Sequence, residues 1–282
     1  MNVGIVGLGL IGGSLAKAIK HSTTDTVLGC DIARSVECKA RLLEAIDNEL
    51  TDELIPLCDI LIIATYPQTA IDFVKEKAHL IKKGAVVMDT CGIKRVVCDA
   101  LFPEADAHGF TFIGAHPMAG TERSGFDNAQ RKLFNSASVV LTPKENESIE
   151  LLGRIKKFWA SLGFTNFEIT TPQRHDEIIA YTSQLAHVVS SAYIKSPTAL
   201  AHTGFSAGSY KDMTRVARLN ETMWTELFLE NAENLEREID TVIVSLSKYK
   251  DAIASRDEKE LLALLREGRE CKEKADAGDM SV

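Results

Sequence analysis

The segment Gly7-Leu8-Gly9-Leu10-Ile11-Gly12 spells GxGxxG between an apolar run at residues 3–6 and a helical pattern. That context makes such a loop a dinucleotide site. Gly7 permits the tight turn, Gly9 lets the backbone approach a pyrophosphate, and Gly12 lets the helix pack closely on the strand. The unpaired N–H groups and positive dipole end of the helix attract the phosphates. Leu8, Leu10 and Ile11 complete the loop and belong to the same expected contact surface. Asp31 ends the next apolar run, about 20 residues on, where a carboxylate holds the ribose hydroxyls of NAD and repels a 2′-phosphate. NAD is therefore the expected cofactor and NADP the less favoured one. Arg34 is the residue that could reach a 2′-phosphate.

A second cluster, residues 114–125, reads GAHPMAGTERSG. Ligands of parallel sheets lie beyond the carboxyl ends of the strands, so His116, just after the apolar run 111–115, is expected to face the cofactor cleft. An imidazole there can accept a hydroxyl proton while a hydride leaves the same carbon, near its ordinary pKa of about 6.5.

The elements that must position these groups change along the chain. Short Val/Ile-rich runs at residues 2–6, 26–30, 59–64, 85–89, 111–115, 138–142 and 167–170 alternate with helical patterns, including 14–20 and 149–162. Such alternation predicts βαβ units and a largely parallel sheet. After Pro172 the pattern turns helical, with segments at 177–194, at 221–254 (one helix or two in tandem) and at 257–274. The expected architecture is α/β: a Rossmann-type, mainly parallel sheet domain at residues 1–170, followed by an all-helical domain at 171–282 that binds substrate and dimerises. The helical segments carry more apolar stripe than about 110 residues bury alone, which points to a homodimer.

Composition excludes several classes. A balance of 32 Lys+Arg against 40 Asp+Glu lacks the basic footprint of sequence-independent nucleic-acid binding. No apolar run reaches the ~18 residues of a membrane span, and the first residues do not read as a signal peptide. Six scattered cysteines without a CxxC pair argue against zinc and for free thiols in a reducing compartment, so a cytoplasmic location is expected.

Several strings together resemble the prephenate dehydrogenase family, which includes arogenate and cyclohexadienyl dehydrogenases. They are GLGLIGGSLAKAI at the start, DTCGIK at 89–94, GAHPMAGTERSG, YTSQLAH at 181–187, KDMTRVAR at 211–218 and MWTELFLENAENL at 223–235. The resemblance implies NAD-dependent oxidation of prephenate, with loss of carbon dioxide, to 4-hydroxyphenylpyruvate in tyrosine biosynthesis. It implies that His116 takes the proton of the ring hydroxyl, that Arg215 anchors a substrate carboxylate, and that aromatisation drives decarboxylation without a metal. Ser183 is placed near the nicotinamide and His187 near the substrate. Thr121 is a further substrate contact, and Glu122 and Asp212 are an acidic pair closing the site. Thr65 and Thr90 are expected at the cofactor.

The chain departs from the family pattern at three positions. Gly92 stands where D-x-x-S-x-K has serine, Gln184 stands where S-H-L-P-H has its first histidine, and Ala186 stands at the proline of that motif. The alternatives are an arogenate dehydrogenase making tyrosine directly, a β-hydroxyacid or 6-phosphogluconate-like dehydrogenase, and a non-catalytic dinucleotide-binding sensor. The presence of both His116 and Arg215 disfavours the last.

Overall fold

The computed structural model describes residues 1–121 and 123–279. Among them one sheet is formed by β1 (Asn2–Val6), β2 (Thr26–Cys30), β3 (Asn48–Glu49), β4 (Ile60–Ile63), β5 (Val86–Asp89), β6 (Thr111–Met118), β7 (Ser138–Thr142) and β8 (Asn166–Ile169). The strand order is β3-β2-β1-β4-β5-β6-β7-β8. Neighbours run parallel except for β6 and β7, which are antiparallel. Strands buried on both faces show as continuous apolar runs, and Ile60 to Ile63 are all buried. Alternate side chains enter two cores. Ile5, Ile62 and Met88 join one with Leu15, Ile19 and Trp159, and Val6, Leu61, Ile63 and Val87 join the other with Val74, Val97 and Leu101. The helices α1 (Leu10–Ser22), α2 (Arg34–Leu42) and α5 (Ile149–Ser161) cover the first face; α3 (Pro67–Lys77) and α4 (Arg95–His108) cover the second.

The GAHPM string lies within a strand rather than after one. Residues 111–113 of β6 pair with β5, and residues 114–118 then pair with β7. The antiparallel return of β7 keeps the chain extended for five residues past the last β5 pair, so His116 stands beyond the end of β5.

The helical segment opens with α6 (Pro172–Ile179). Thr171 caps it by accepting the Arg174 N–H, and proline occupies its first position. One π turn, Ala180–Leu185, follows, and then α7 (Ala186–Tyr193), so the run read as a single helix is interrupted. Next come α8 (Gly208–Thr214), a 3₁₀ turn at Arg215–Ala217 and α9 (Glu221–Glu230). The chain divides into two compact units, Met1–Ala232 and Glu233–Val282; the first takes in α6 to α9 together with the sheet. The second holds most of α10 (Ala232–Ser255), which is separate from α9, and α11 (Glu258–Asp279). Tyr249 ties this pair by donating to the Leu264 carbonyl at 3.1 Å. Ile243, Val244, Leu246, Ile253, Leu262 and Leu265 are each more than half exposed. Among the described residues no helix is long and apolar enough to cross a membrane.

Candidate active site

β1 feeds directly into the glycine loop. Gly7 takes φ of +85°, and a Cβ on Gly12 would strike the Gly7 carbonyl. A Cβ on Gly9 would meet nothing within 4 Å, so this backbone edge is open to a ligand. α1 starts with no side-chain cap and no acidic residue in its first turn. Gly13 N–H is bonded to the Gly9 carbonyl; the N–H groups before it, at Leu10, Ile11 and Gly12, lack an intrahelical acceptor. Asp31 is fixed at the tip of β2, its Oδ2 accepting from Leu8 N–H (2.8 Å) and its Oδ1 from Ala33 N–H (2.9 Å). Each oxygen keeps a lone pair for a ribose hydroxyl. Arg34 opens α2 and is exposed; Thr65 and Thr90, partly buried, follow β4 and β5. An open glycine edge, unfilled N–H groups and a carboxylate held for hydroxyls are what a dinucleotide such as NAD requires.

Two buried side chains, His175 and Asp176, stand behind His116. Asp176 accepts the backbone N–H groups of Lys94 (2.7 Å) and Arg95 (2.8 Å) at the start of α4. It also accepts His175 Nδ1–H at 2.7 Å. His175 Nε2 is then a lone pair and must accept His116 Nδ1–H, 2.9 Å away. The remaining nitrogen, His116 Nε2, is thereby left as a proton acceptor. It faces Gly92, whose Cβ would lie 4.0 Å from it. A side chain at this position, such as the serine of the family pattern, would stand between His116 Nε2 and Leu227, 3.5 Å from the latter.

Lys94 lies beside this chain, fully buried and paired with Asp89. Asp89 also accepts Ala115 N–H and Cys91 N–H. Burial, then His175, then the Lys94 cation hold His116 well below the ordinary imidazole range. The expectation of a value near 6.5 is thus corrected: desolvation disfavours the charged ring. Burial likewise pushes the neighbouring Cys91 thiol up.

The π turn carries the other half of the site. Ser183 lies in it, and its carbonyl accepts His187 Nδ1–H at 2.8 Å. A peptide carbonyl only accepts, so neutral His187 presents Nε2 as a lone pair. Its ring stacks on Trp224 of α9, centroids 4.0 Å apart. Burial first, with the Arg215 cation adding, lowers its pKa. α9 links the two histidines: Trp224 touches His187, and Leu227, one turn on, lies against Gly92 beside His116 Nε2. Arg215 and Asp212 are exposed, on the 3₁₀ turn and on α8 respectively. Thr121 is exposed, its hydroxyl 3.3 Å from Arg123 N–H. Glu122 lies outside the described residues.

Sequence reasoning missed His175, Asp176 and Trp224. The adjacent His175-Asp176 pair reads as a solvated helix face, and only its contact with a helix start some 80 residues away reveals its role. Trp224 lies within the 223–235 string, where nothing local marks it off from its apolar neighbours. Glu230, also missed, has a buried Oε2 without a hydrogen-bond partner among the described residues. Burial, with Glu226 and Asp176 nearby, raises its pKa to about 7. Because the folded chain holds this proton more tightly than the unfolded one, stability falls as pH rises from about 4.5 through 7. Glu230→Gln is expected to raise Tm at pH 8 and to leave it nearly unchanged at pH 4, read by thermal unfolding at both values. Partial exposure keeps the gain to about 1 kcal/mol.

Two family models cover most of the chain: the prephenate dehydrogenase nucleotide-binding domain at residues 15–166 and the prephenate dehydrogenase dimerization domain at residues 171–267. A cyclohexadienyl dehydrogenase of Zymomonas mobilis is 32% identical over 284 residues, 96% of this chain and 94% of that protein. A prephenate dehydrogenase of Bacillus subtilis is 26% identical over 275 residues, 94% of this chain and 74% of that protein. Among solved structures, a prephenate dehydrogenase from A. aeolicus in complex with hydroxyphenyl propionate and NAD+ superposes with a TM-score of 0.84 at 29% identity, covering 98% of each chain. Synechocystis arogenate dehydrogenase gives a TM-score of 0.81 at 26% identity, covering 98% of this chain and 100% of that one. With both domain models in order along a Rossmann-type sheet and a helical segment, this chain belongs to the prephenate dehydrogenase family of oxidoreductases.

Proposed function

We propose that the chain oxidises prephenate with NAD, releasing carbon dioxide and 4-hydroxyphenylpyruvate. The observation that carries this reading is the tautomer chain Asp176–His175–His116, which leaves a neutral Nε2 as a base beyond the end of β5. When bound, the nicotinamide accepts the hydride. His116 Nε2 takes the proton of the ring hydroxyl, and His175 keeps the other nitrogen protonated and the ring oriented. Lys94, buried behind the chain, disfavours an imidazolium before substrate arrives. As the carbinol carbon becomes a carbonyl, the ring carboxylate leaves as carbon dioxide and its bond electrons pass through the ring to that oxygen, which takes the proton back from His116. The aromaticity gained drives decarboxylation. Arg215 holds a substrate carboxylate, with Thr121, Asp212 and Ser183 as further polar contacts.

The match to a dimerization-domain model and the uncovered apolar stripe of α10 and α11 support a homodimer. Six free thiols fit a reducing cytoplasm.

The test is to mix protein, NAD and prephenate and follow nicotinamide reduction. Tight NAD binding without reduction, by prephenate or by arogenate, overturns the reading. Arg215→Lys is expected to raise KM for prephenate about 10-fold or more, with a smaller change in kcat, because an ammonium lacks the planar fork that grips a carboxylate. Steady-state kinetics check this.

One observation favours arogenate as a second substrate. Neutral His187 offers a lone pair near a guanidinium, a pairing suited to the ammonium and carboxylate of an amino acid headgroup.

A further inference from the structure

Gln184 and Asn231 contact no reacting group in this mechanism, yet each is only 1% exposed. Gln184 Oε1 accepts Asn231 Nδ2–H at 2.7 Å. Gln184 Nε2 donates to the Leu227 carbonyl at 2.9 Å, and Asn231 Nδ2 donates to the Asp176 carbonyl at 2.9 Å. Two amides thus join three segments: α6, the π turn and the end of α9. Each segment carries part of the site. Asp176 anchors the His116 chain, Gln184 sits between Ser183 and His187 in sequence, and α9 lays Leu227 against Gly92 and Trp224 against His187.

A π turn inserts one residue into a helix. It thereby rotates the downstream residues by about 100° relative to α-helical continuation. Reversion to α geometry would carry His187 off Trp224. Within the turn, the buried side chain that makes polar bonds outside it is Gln184, and those bonds go to α9. A buried amide deprived of its partner costs about 1–3 kcal/mol, so the wide register is fixed by satisfying both amides at once. The position where the family pattern has a titratable histidine is occupied here by a side chain able to donate and accept together.

We propose that Gln184 and Asn231 form a buried amide clasp that holds the π turn in register, setting Ser183 and His187 against the His116 chain. They are positioning residues, and the proposal rests on the reading of those three residues as the active site.

The experiment compares Gln184→Met, Asn231→Leu and the swap Gln184→Asn/Asn231→Gln. Turnover of prephenate and arogenate, NAD affinity and Tm are measured on the full chain. Each single variant is expected to lower kcat about 10- to 100-fold, the penalty of a displaced reacting geometry, while NAD affinity stays within about 2-fold since the glycine loop is untouched. The swap, which restores an amide pair of the same combined length, is expected to recover kcat above either single variant. A loss of Tm with kcat unchanged, or a swap no better than the singles, overturns the clasp. If the apolar variants do not fold, Asn231→Ser decides the matter: its single hydroxyl proton cannot serve both the Asp176 carbonyl and Gln184 Oε1, so it should fold and still lose kcat, and full kcat overturns the proposal. Wild-type protein is assayed first. Its inactivity on both substrates overturns the functional reading and the clasp with it; active wild type with unaffected variants overturns the clasp alone.

Discussion

His116→Asn is expected to lower kcat about 1,000-fold, within the range attributed to a positioned general base, while NAD affinity is unchanged. The asparagine amide can still donate to His175 Nε2, now reached by His116 Nδ1 at 2.9 Å, so the buried neighbours remain satisfied. What disappears is the only atom of residue 116 that can take a proton. Stopped-flow or steady-state reduction of NAD, alongside a binding titration, separates the two effects. The wild-type pH profile carries a linked expectation. A protonated imidazole cannot accept, so activity is lost as pH falls through the folded pKa. Burial, His175 and Lys94 all depress that value, placing the acid limb of kcat/KM well below pH 6.5. A limb at or above 6.5 would show that His116 is not the base in this environment.

Asp176→Ala is expected to destabilise the first unit by about 3–5 kcal/mol, as for other buried groups stripped of a charged partner. Thermal unfolding should fall by about 10 °C. The carboxylate is 1% exposed and serves three donors: two backbone N–H groups at the start of α4 and His175. Its removal strands all three in a site too buried for water to compensate cheaply. The surviving folded fraction should also turn over slowly, since His175 can then adopt the other tautomer and donate to His116. Asp176→Asn separates these consequences. It keeps acceptors for one face of the group and should recover part of the stability but little of kcat. A Tm within 2 °C of wild type for Asp176→Ala would show that the helix start is satisfied elsewhere.

The sheet was legible because parallel strands buried on two sides appear as unbroken apolar runs; Ile60–Ile63 and Val86–Asp89 read directly. The two-residue β3 was not, having no run long enough to show periodicity. The glycine loop and Asp31 were readable for a local reason: their function depends on neighbours in sequence. His116 was readable as a residue, but its tautomer was not. That is decided by Asp176, which is 81 and 82 positions from the helix start it caps. The π turn left no trace in the pattern either, because one inserted residue barely disturbs an apolar periodicity of three and four. Gln184 looked like a lost histidine, and only its partners, 43 and 47 residues away, show what it holds.

The anchoring of α4 by Asp176 also bears on how the polypeptide is made. A nascent chain that has emerged only to residue 170 already contains every strand of the sheet. It does not yet contain the anion for the N–H groups of Lys94 and Arg95. Until α6 leaves the ribosome, the start of α4 faces an incomplete interior. The nucleotide-binding part therefore matures late, after the segment beyond it has been synthesised. A fragment cut at the apparent sequence boundary lacks this anchor, whereas one ending beyond Ala232 retains it.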